Sequence, residues 1–161
     1  MKICIISDSH GKRDYVNYLV SDSDFDKVFF LGDGLRDIDN ENEEKVVKVA
    51  GNNDYFNFYT PLNETVKIGN KKIFLTHGHN FNVRQGIYQL EKEAKQFNYD
   101  IVCFGHTHSV HNEFKDGVYY LNPGSLFNGR FMVLDIDGDK MTVTEHKLWY
   151  SIEKFLIFDI M

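Results

Sequence analysis

The chain has 161 residues, of which 42 % are hydrophobic and 26 % charged, and its formal net charge is -6 at pH 7. This composition is ordinary for a folded globular protein, and the length suits one domain with a sizeable core over residues 1–161. The acidic balance argues against a long nucleic acid as the main partner, because proteins that bind one usually carry a basic footprint.

Membrane and secretory signals are absent from the sequence pattern. No apolar run approaches the roughly 20 residues that a helix needs to cross a bilayer, and the apolar segment before Ser7 is too short for the core of a signal peptide. Cys4 and Cys103 lie far apart inside apolar runs, which favours buried thiols in a reducing compartment over a disulfide or a zinc pair. We therefore expect a cytoplasmic protein with no membrane partner.

Short apolar runs alternate with helical patterns in the first two thirds of the chain. Strands are predicted over residues 2–7, 27–31, 45–50, 71–76 and 100–104. Helices are predicted over residues 12–20 and 83–97, where apolar residues recur at helical spacing. This alternation predicts an α/β layered sheet whose inner strands are covered on both faces.

Hairpin signals dominate the rest. Gly69-Asn70 divides residues 64–76 into two strand-like halves, and Asp116-Gly117 and Asp137-Gly138 mark two further turns. The last stretch, residues 148–161, is apolar enough to pack as a strand or a short helix. A mixed α/β (α+β) sandwich with outer helices accommodates both halves of the chain.

Five predicted strands end in a carboxylate, an amide or an imidazole, usually beside a glycine. These ends are Asp8-Ser9-His10, Gly32-Asp33, Gly51-Asn52-Asn53-Asp54, His77-Gly78-His79 and Gly105-His106-Thr107-His108. Ligands of open α/β sheets bind outside the carboxyl ends of the strands, so we expect these groups at one edge. Because residues two apart in extended chain point to the same side, each His or Asp pair could chelate one centre or divide between two adjacent centres.

The donor set indicates a metal site. Nitrogen and oxygen donors without a thiolate suit manganese, iron, zinc, nickel or cobalt better than calcium or magnesium alone. Three imidazoles, two carboxylates, an amide and at least one more histidine are too many for one tetrahedral ion, and they suit two ions that share a carboxylate. His111 and His146 fall outside the pattern: His111 is interpreted as a surface residue or part of the site mouth, and His146 as a solvated hairpin residue.

The order DSH, GD, GNND, HGH and GHTH closely resembles the calcineurin-like metallophosphoesterase superfamily, and more narrowly its small single-domain phosphodiesterases of the YfcE type. With NPGS at residues 122–125, the resemblance covers nearly the whole chain. It implies a metallophosphoesterase fold, a four-layered αββα sandwich with two mixed β-sheets, and a two-metal centre. By this resemblance Asp8, His10 and His108 would hold the first ion, Asn52, His77 and His106 the second, and Asp33 would bridge them.

One position departs from the superfamily pattern, and it bears on the mechanism. Many members carry a histidine directly after the motif asparagine, where this chain has Asn53. An amide can donate a hydrogen bond to phosphate but cannot deliver a proton, so Asn53 is expected to orient the phosphate. His79 is expected to help orient it. We expect a metal-bridging hydroxide to attack small phosphodiesters with activated leaving groups, with Mn²⁺ as the first choice of ion and Ni²⁺, Zn²⁺, Fe²⁺ or Co²⁺ as alternatives.

Two other functions remain open at this stage. The superfamily includes members that use the fold as a non-catalytic protein-binding scaffold, and a nuclease acting on short RNA or cyclic nucleotides would use the same chemistry. The aromatic residues of the stretch 55–59 could stack on a base or an aryl group, but packing within the loop or at a subunit interface is favoured. A homodimer or homotetramer is therefore plausible.

Overall fold

The computed structural model describes residues 1–39, 44–150 and 155–160. Within them the chain forms two α-helices and eleven β-strands. The helices are α1 (Arg13–Ser21) and α2 (Tyr88–Phe97). The strands are β1 (Lys2–Ile6), β2 (Lys27–Phe30), β3 (Val46–Lys48), β4 (Asn63–Ile68), β5 (Lys71–Thr76), β6 (Ile101–Cys103), β7 (Val110–Lys115), β8 (Val118–Pro123), β9 (Arg130–Asp137), β10 (Lys140–Tyr150) and β11 (Phe155–Asp159).

The strands form two mixed sheets. The first has the order β11-β10-β9-β1-β2-β3, in which β1, β2 and β3 are parallel and the others pair antiparallel. The second has the order β4-β5-β6-β8-β7, in which β5, β6 and β8 are parallel. The expected mixed fold with two mixed sheets is confirmed.

Three apolar cores separate four layers. Along β1, Ile3 and Ile5 face the second sheet, whereas Cys4 and Ile6 face α1, because successive strand residues point to opposite faces. The helix α1 covers the outer face of the first sheet, and α2 covers the outer face of the second. The αββα order is the one that the resemblance implies.

The helix predicted over residues 83–97 is shorter than expected. Val83–Gln85 forms a separate 3-10 turn, and α2 begins only at Tyr88. The break falls at Gly86, whose φ of 123° lies outside the helical region and whose N–H donates to the carbonyl of Val83. The glycine ends the turn and separates it from α2.

The three predicted hairpins are present, and the C-terminal stretch forms a strand where it is described. β10 reaches Tyr150, and β11 pairs with it antiparallel. Phe155 at the start of β11 packs on α1, with ring centroids 4.4 Å from Tyr18 and 5.5 Å from Tyr15. Residues 151–154 and 161 of the predicted segment lie outside the described residues.

Both cysteines lie in the cores. Cys4 and Cys103 are fully buried free thiols, and burial raises the pKa of each. This placement agrees with the interpretation of both as small buried hydrophobes. No helix in the described part of the chain is long and apolar enough to cross a membrane.

Candidate metal centre

The parallel topology brings the five polar motifs together at the carboxyl ends of β1, β2, β3, β5 and β6, which we call the strand-end rim. Backbone hydrogen bonds connect these ends. The N–H of Asp8 donates to Gly32 at 2.9 Å, and the N–H of Gly105 donates to His77 at 3.0 Å. The predicted meeting of distant motifs is therefore observed, across both sheets.

A first group of possible metal donors consists of Asp8, His10 and His108. The Nε2 atom of His108 lies 3.1 Å from Oδ1 of Asp8, and Nε2 of His10 lies 3.8 Å from the same oxygen. The two Nε2 atoms are 3.2 Å apart. Because the donor atoms all lie within 4.8 Å of one another, one ion could bind all three residues.

A second group consists of Asp8, Asp33 and His77. Nε2 of His77 lies 3.4 Å from Oδ2 of Asp33, 3.9 Å from Oδ1 of Asp8 and 3.2 Å from Oδ1 of Asn52. The Nδ1 atom of His77 is 2.7 Å from the carbonyl oxygen of Leu31, so Nδ1 donates a hydrogen bond to it. Nε2 then faces the other candidate metal ligands of the group.

His106 and His79 stand beside the second group. The ring centroid of His106 is 5.1 Å from that of His77, and the ring of His79 is 5.4 Å from it. Burial, and then the charge of His77, lowers the pKa of both residues. The Nδ1 atom of His79 is buried and has no hydrogen-bond partner among the described residues.

Asp8 is the residue that the two groups share. It is fully buried, and its Oδ2 accepts hydrogen bonds from the Ser7 hydroxyl at 2.7 Å and from the backbone of His106 at 3.0 Å. Its Oδ1 has no hydrogen-bond partner in the described part of the chain. A buried carboxylate oxygen is costly unless it is paired or bound to a metal, so this oxygen and its nitrogen neighbours fit a divalent ion.

Asp33 and His77 shift each other's pKa. Burial by itself raises the pKa of Asp33, but the hydrogen bond and charge of His77 and the bonds from Asn53 hold it well below its usual range. Burial by itself lowers the pKa of His77, but Asp33 and Asp8 raise it above the ordinary value. The Asp33 carboxylate is therefore held ionised, as metal binding requires.

The backbone of the strand-end rim is strained. Five of the seven predicted metal ligands have positive φ angles, a conformation that costs a residue other than glycine about 1–3 kcal/mol. They are Asp8 (54°), His10 (44°), Asp33 (58°), His106 (67°) and His108 (58°). Such outliers cluster at functional sites, where the surrounding structure holds them.

Asp54 and Asn53 hold Asp33 in place. The Asp54 carboxylate accepts four backbone N–H bonds of 2.8–3.0 Å, from Asp33, Gly34, Leu35 and Gly51. The Asn53 backbone and side-chain nitrogens donate to the two oxygens of Asp33 at 2.8 and 2.6 Å. Asp54 belongs to the GNND motif, but the sequence alone predicts no role for it.

Three further supporting residues lie around the other motifs. The buried Asp37 accepts bonds from the Ser9 hydroxyl at 2.6 Å and the Gly11 backbone at 2.9 Å. Asn122 donates to the carbonyl of Gly105 at 2.9 Å, and the Ser125 hydroxyl donates to the carbonyl of Asp8 at 2.8 Å. The NPGS stretch was the available sequence signal for the last two.

The interpretation of His146 as solvated is wrong. Only 14 % of its side chain is exposed, and its ring stacks on Phe131 with centroids 5.1 Å apart. Its Nδ1 lies 2.8 Å from a carboxylate oxygen of Asp159 in β11. The cover comes from residues distant in sequence. His111 lies on β7 and belongs to neither donor group, and its Nε2 is 3.1 Å from a carboxylate oxygen of Glu113.

A family model described as the calcineurin-like phosphoesterase superfamily domain matches residues 1–139. The chain belongs to this superfamily. A Bacillus subtilis protein named "Probable metallophosphoesterase YsnB" is 30 % identical over 152 residues, which cover 89 % of each chain. A Methanocaldococcus jannaschii phosphodiesterase is 30 % identical over 145 residues, which cover 77 % of this chain and 83 % of the relative. Superfamily membership and these names support a hydrolase of phosphoric esters.

Solved structures show the same fold. A Streptococcus pneumoniae protein described as a predicted phosphoesterase superposes with a TM-score of 0.81 at 26 % identity and covers 99 % of this chain and 97 % of that one. Vacuolar protein sorting 29 of Cryptosporidium parvum superposes with a TM-score of 0.76 at 21 % identity and covers 99 % and 96 %. The second likeness concerns the fold alone.

Proposed function

We propose that the protein is a binuclear-metal-dependent phosphodiesterase that hydrolyses small phosphodiesters. The observation that carries the proposal is the buried Oδ1 of Asp8, which has no hydrogen-bond partner among the described residues and lies 3.1 Å from Nε2 of His108 and 3.9 Å from Nε2 of His77. One carboxylate shared by two groups suits two neighbouring ions better than one. The phosphodiesterase name of the archaeal relative supports the choice of substrate.

In the proposed site the first donor group holds one ion, and His77 of the second group holds the other together with two neighbouring residues. Asp8, His10 and His108 would hold the first ion, and Asn52, His77 and His106 the second. Asp33 would lie between them, exchanging the Asn53 side chain at its Oδ2 for an ion. When bound, the ions would supply an activated water and neutralise charge on the phosphoryl oxygens, with Mn²⁺ expected first and Ni²⁺, Zn²⁺, Fe²⁺ or Co²⁺ as alternatives.

The chain's own residues would orient the substrate by hydrogen bonds to the phosphate. Asn53, once released from Asp33, can donate to a phosphate oxygen, and His79 offers a buried nitrogen without a partner. The Asn53 amide cannot act as a general acid that protonates the leaving group. Substrates with activated leaving groups, such as aryl phosphodiesters, are therefore favoured over alkyl monoesters.

The test compares two substrates and one pair of variants. With Mn²⁺ added, bis(4-nitrophenyl) phosphate should turn over faster than 4-nitrophenyl phosphate. Asp33→Asn should lower both the bound metal and kcat, the latter on the order of a hundredfold or more, because the lost charge serves both ions. Asp24→Asn, which changes an exposed carboxylate, is the matched control. A monoester preference, or full metal content and rate in Asp33→Asn, contradicts the proposal.

A non-catalytic scaffold is the second candidate, because the fold is shared with vacuolar protein sorting 29. The seven predicted metal ligands are all present in this chain, which favours the enzyme. Metal content and diesterase activity, measured on the same preparation, separate the two functions. A nuclease acting on short RNA or cyclic nucleotides would show itself by a higher kcat/KM on those substrates than on aryl diesters.

We further propose that the protein acts in the cytoplasm and assembles as a homodimer or homotetramer. The supporting observation is a pair of rings on the loop after β3, outside the cavity described below, that are the most exposed on that loop in the single chain: Phe58 and Tyr59. Large exposed apolar patches commonly mark interaction surfaces. A monomer mass in sedimentation at micromolar concentration would contradict the assembly.

A further inference from the structure

A cavity of about 340 Å³ opens beside the first donor group. His10 and Asp33 line the side nearest the candidate metal centre, and Arg36 and Phe56 line another part. Its volume lies within the range of small-ligand sites, roughly 300–1,000 Å³. The cavity therefore places additional side chains within reach of any ester that is bound at the strand-end rim.

Arg36 is the cation of this cavity. It is exposed on the 3-10 turn Leu35–Asp37, which follows Asp33 closely, and its guanidinium carbon lies 4.7 Å from the ring centroid of Phe56. Among the described residues it makes no ion pair. The nearby carboxylates of Asp37 and Asp54 are engaged with a hydroxyl and with backbone amides.

The guanidinium group can serve a ligand in two ways. Its plane stacks on rings, and its edge donates hydrogen bonds to phosphate. With Phe56 on one side, the other face and the edge are available. An arginine at an otherwise acidic rim also attracts the negative charge of an ester that the carboxylates would repel.

The aromatic residues of the cavity are exposed on a loop that is anchored at its start. Tyr55 and Phe56 have 69 % and 73 % of their surface exposed, whereas Leu35 is buried at 7 %. The loop that carries the two rings begins at Asp54, whose four backbone bonds anchor it. A loop that is anchored at its start has less conformational entropy to lose when a ligand stacks on its rings than a free loop has.

We infer that Arg36 and Phe56 form a subsite for a planar aromatic substituent of the phosphoric ester, either an aryl ring or a nucleobase. This inference rests on the proposed function, because the ester must be held by the neighbouring ions. The ring stacks on the face of the guanidinium opposite Phe56, which supports the guanidinium from behind, and the guanidinium edge donates to the phosphate. Substrates that carry a planar ring are therefore preferred over saturated ones of the same size.

The experiment compares the binding of phenyl phosphate and cyclohexyl phosphate, which have the same charge and similar size but differ in planarity. Calorimetry with Mn²⁺ present should give about tenfold tighter binding of phenyl phosphate. Arg36→Ala and Phe56→Ala should abolish the preference. Arg36→Lys should also lose it, because the charge remains and the plane does not. Phe58→Ala, on the same loop but outside the cavity, should keep it.

Three results would overturn the subsite: equal affinities in the parent protein, a preference that survives in both alanine variants, or an equal loss in Phe58→Ala. Thymidine 5′-phosphate, titrated in parallel, shows whether a nucleobase gains the same advantage as an aryl ring. Turnover of bis(4-nitrophenyl) phosphate by the same preparation is scored separately. Ring preference without turnover supports the subsite and rejects the phosphodiesterase, and turnover without ring preference does the reverse.

Discussion

Asp54 joins two separate segments of the candidate site through hydrogen bonds alone. Its carboxylate binds the backbone of Asp33, Gly34 and Leu35 after β2, and of Gly51 after β3. Each of its two oxygens accepts two of these bonds. The position of Asp33, and through it the spacing of the donors, therefore depends on a residue that would not itself touch an ion.

Asp54→Asn should lower both the free energy of unfolding and kcat. The amide replaces one acceptor oxygen with an NH₂ group that faces two backbone donors, at a cost of about 2–3 kcal/mol. Urea unfolding measures the loss of stability, and kcat on bis(4-nitrophenyl) phosphate measures the displacement of Asp33. Asp24→Asn is the control, and equal stability of the two variants would count against the anchoring role.

The meeting of the candidate donor residues at one edge was predictable from the sequence, whereas the residues that hold their backbone in place were not. Histidine is scarce, so its recurrence at strand ends is informative in the absence of structure. Asp54 and Asp37 accept hydrogen bonds from groups of other segments, and no local pattern reveals such partners. The NPGS stretch points to Asn122 but not to its partner, the carbonyl of Gly105. His146 was misjudged for the same reason, because Phe131 and Asp159 cover it from elsewhere in the sequence.

At the scale of elements, local turn chemistry decided which predictions succeeded. The hairpin turns at residues 69–70, 116–117 and 137–138 were identified because glycine beside Asn or Asp separates alternating strands. The helix over residues 83–97 was predicted too long because its apolar spacing continues through Gly86, where the backbone leaves the helical region. The spacing of apolar residues describes a face but does not mark where a helix ends.

Phe155 provides the test of how β11 is attached. Its ring packs on Tyr15 and Tyr18 of α1, so this edge strand is held by the helix as well as by β10. Phe155→Ala should lower the free energy of unfolding by about 2 kcal/mol, because the half-buried ring leaves a gap. Phe158→Ala, which removes a ring 49 % exposed on the same strand, should change it by less than about 0.5 kcal/mol. Equal effects would argue against the packing on α1.

At the scale of the whole molecule, the two thiols report on global opening. Cys4 lies in the core under α1 and Cys103 between the sheets, both fully buried. A thiol reagent should therefore modify neither of them at neutral pH until the protein unfolds. Rates measured against urea concentration should follow the unfolded fraction, and rapid reaction of either thiol in the folded protein would contradict this placement.

The same burial gives these thiols a defined effect of pH on stability. Burial raises the pKa of each folded thiol, whereas the unfolded chain releases the proton near pH 8.5. The free energy of unfolding that the two neutral, buried thiols contribute is fully present below that pH. It falls as the pH rises further, by about 1.4 kcal/mol per pH unit for each thiol. Cys103→Ala should therefore show a shallower decline of stability above pH 9 than the parent protein, as urea unfolding at a series of pH values would measure.

Under the proposed function, the positive φ angles of the strand-end rim set thermal stability against activity. Glycine or asparagine at positions 10, 33 and 108 would relieve the backbone strain that His10, Asp33 and His108 have at positive φ. A laboratory selection for survival at high temperature alone would tend to erase these three side chains first and leave both sheets intact. Directed evolution of a more thermostable variant therefore needs a simultaneous screen for catalysis.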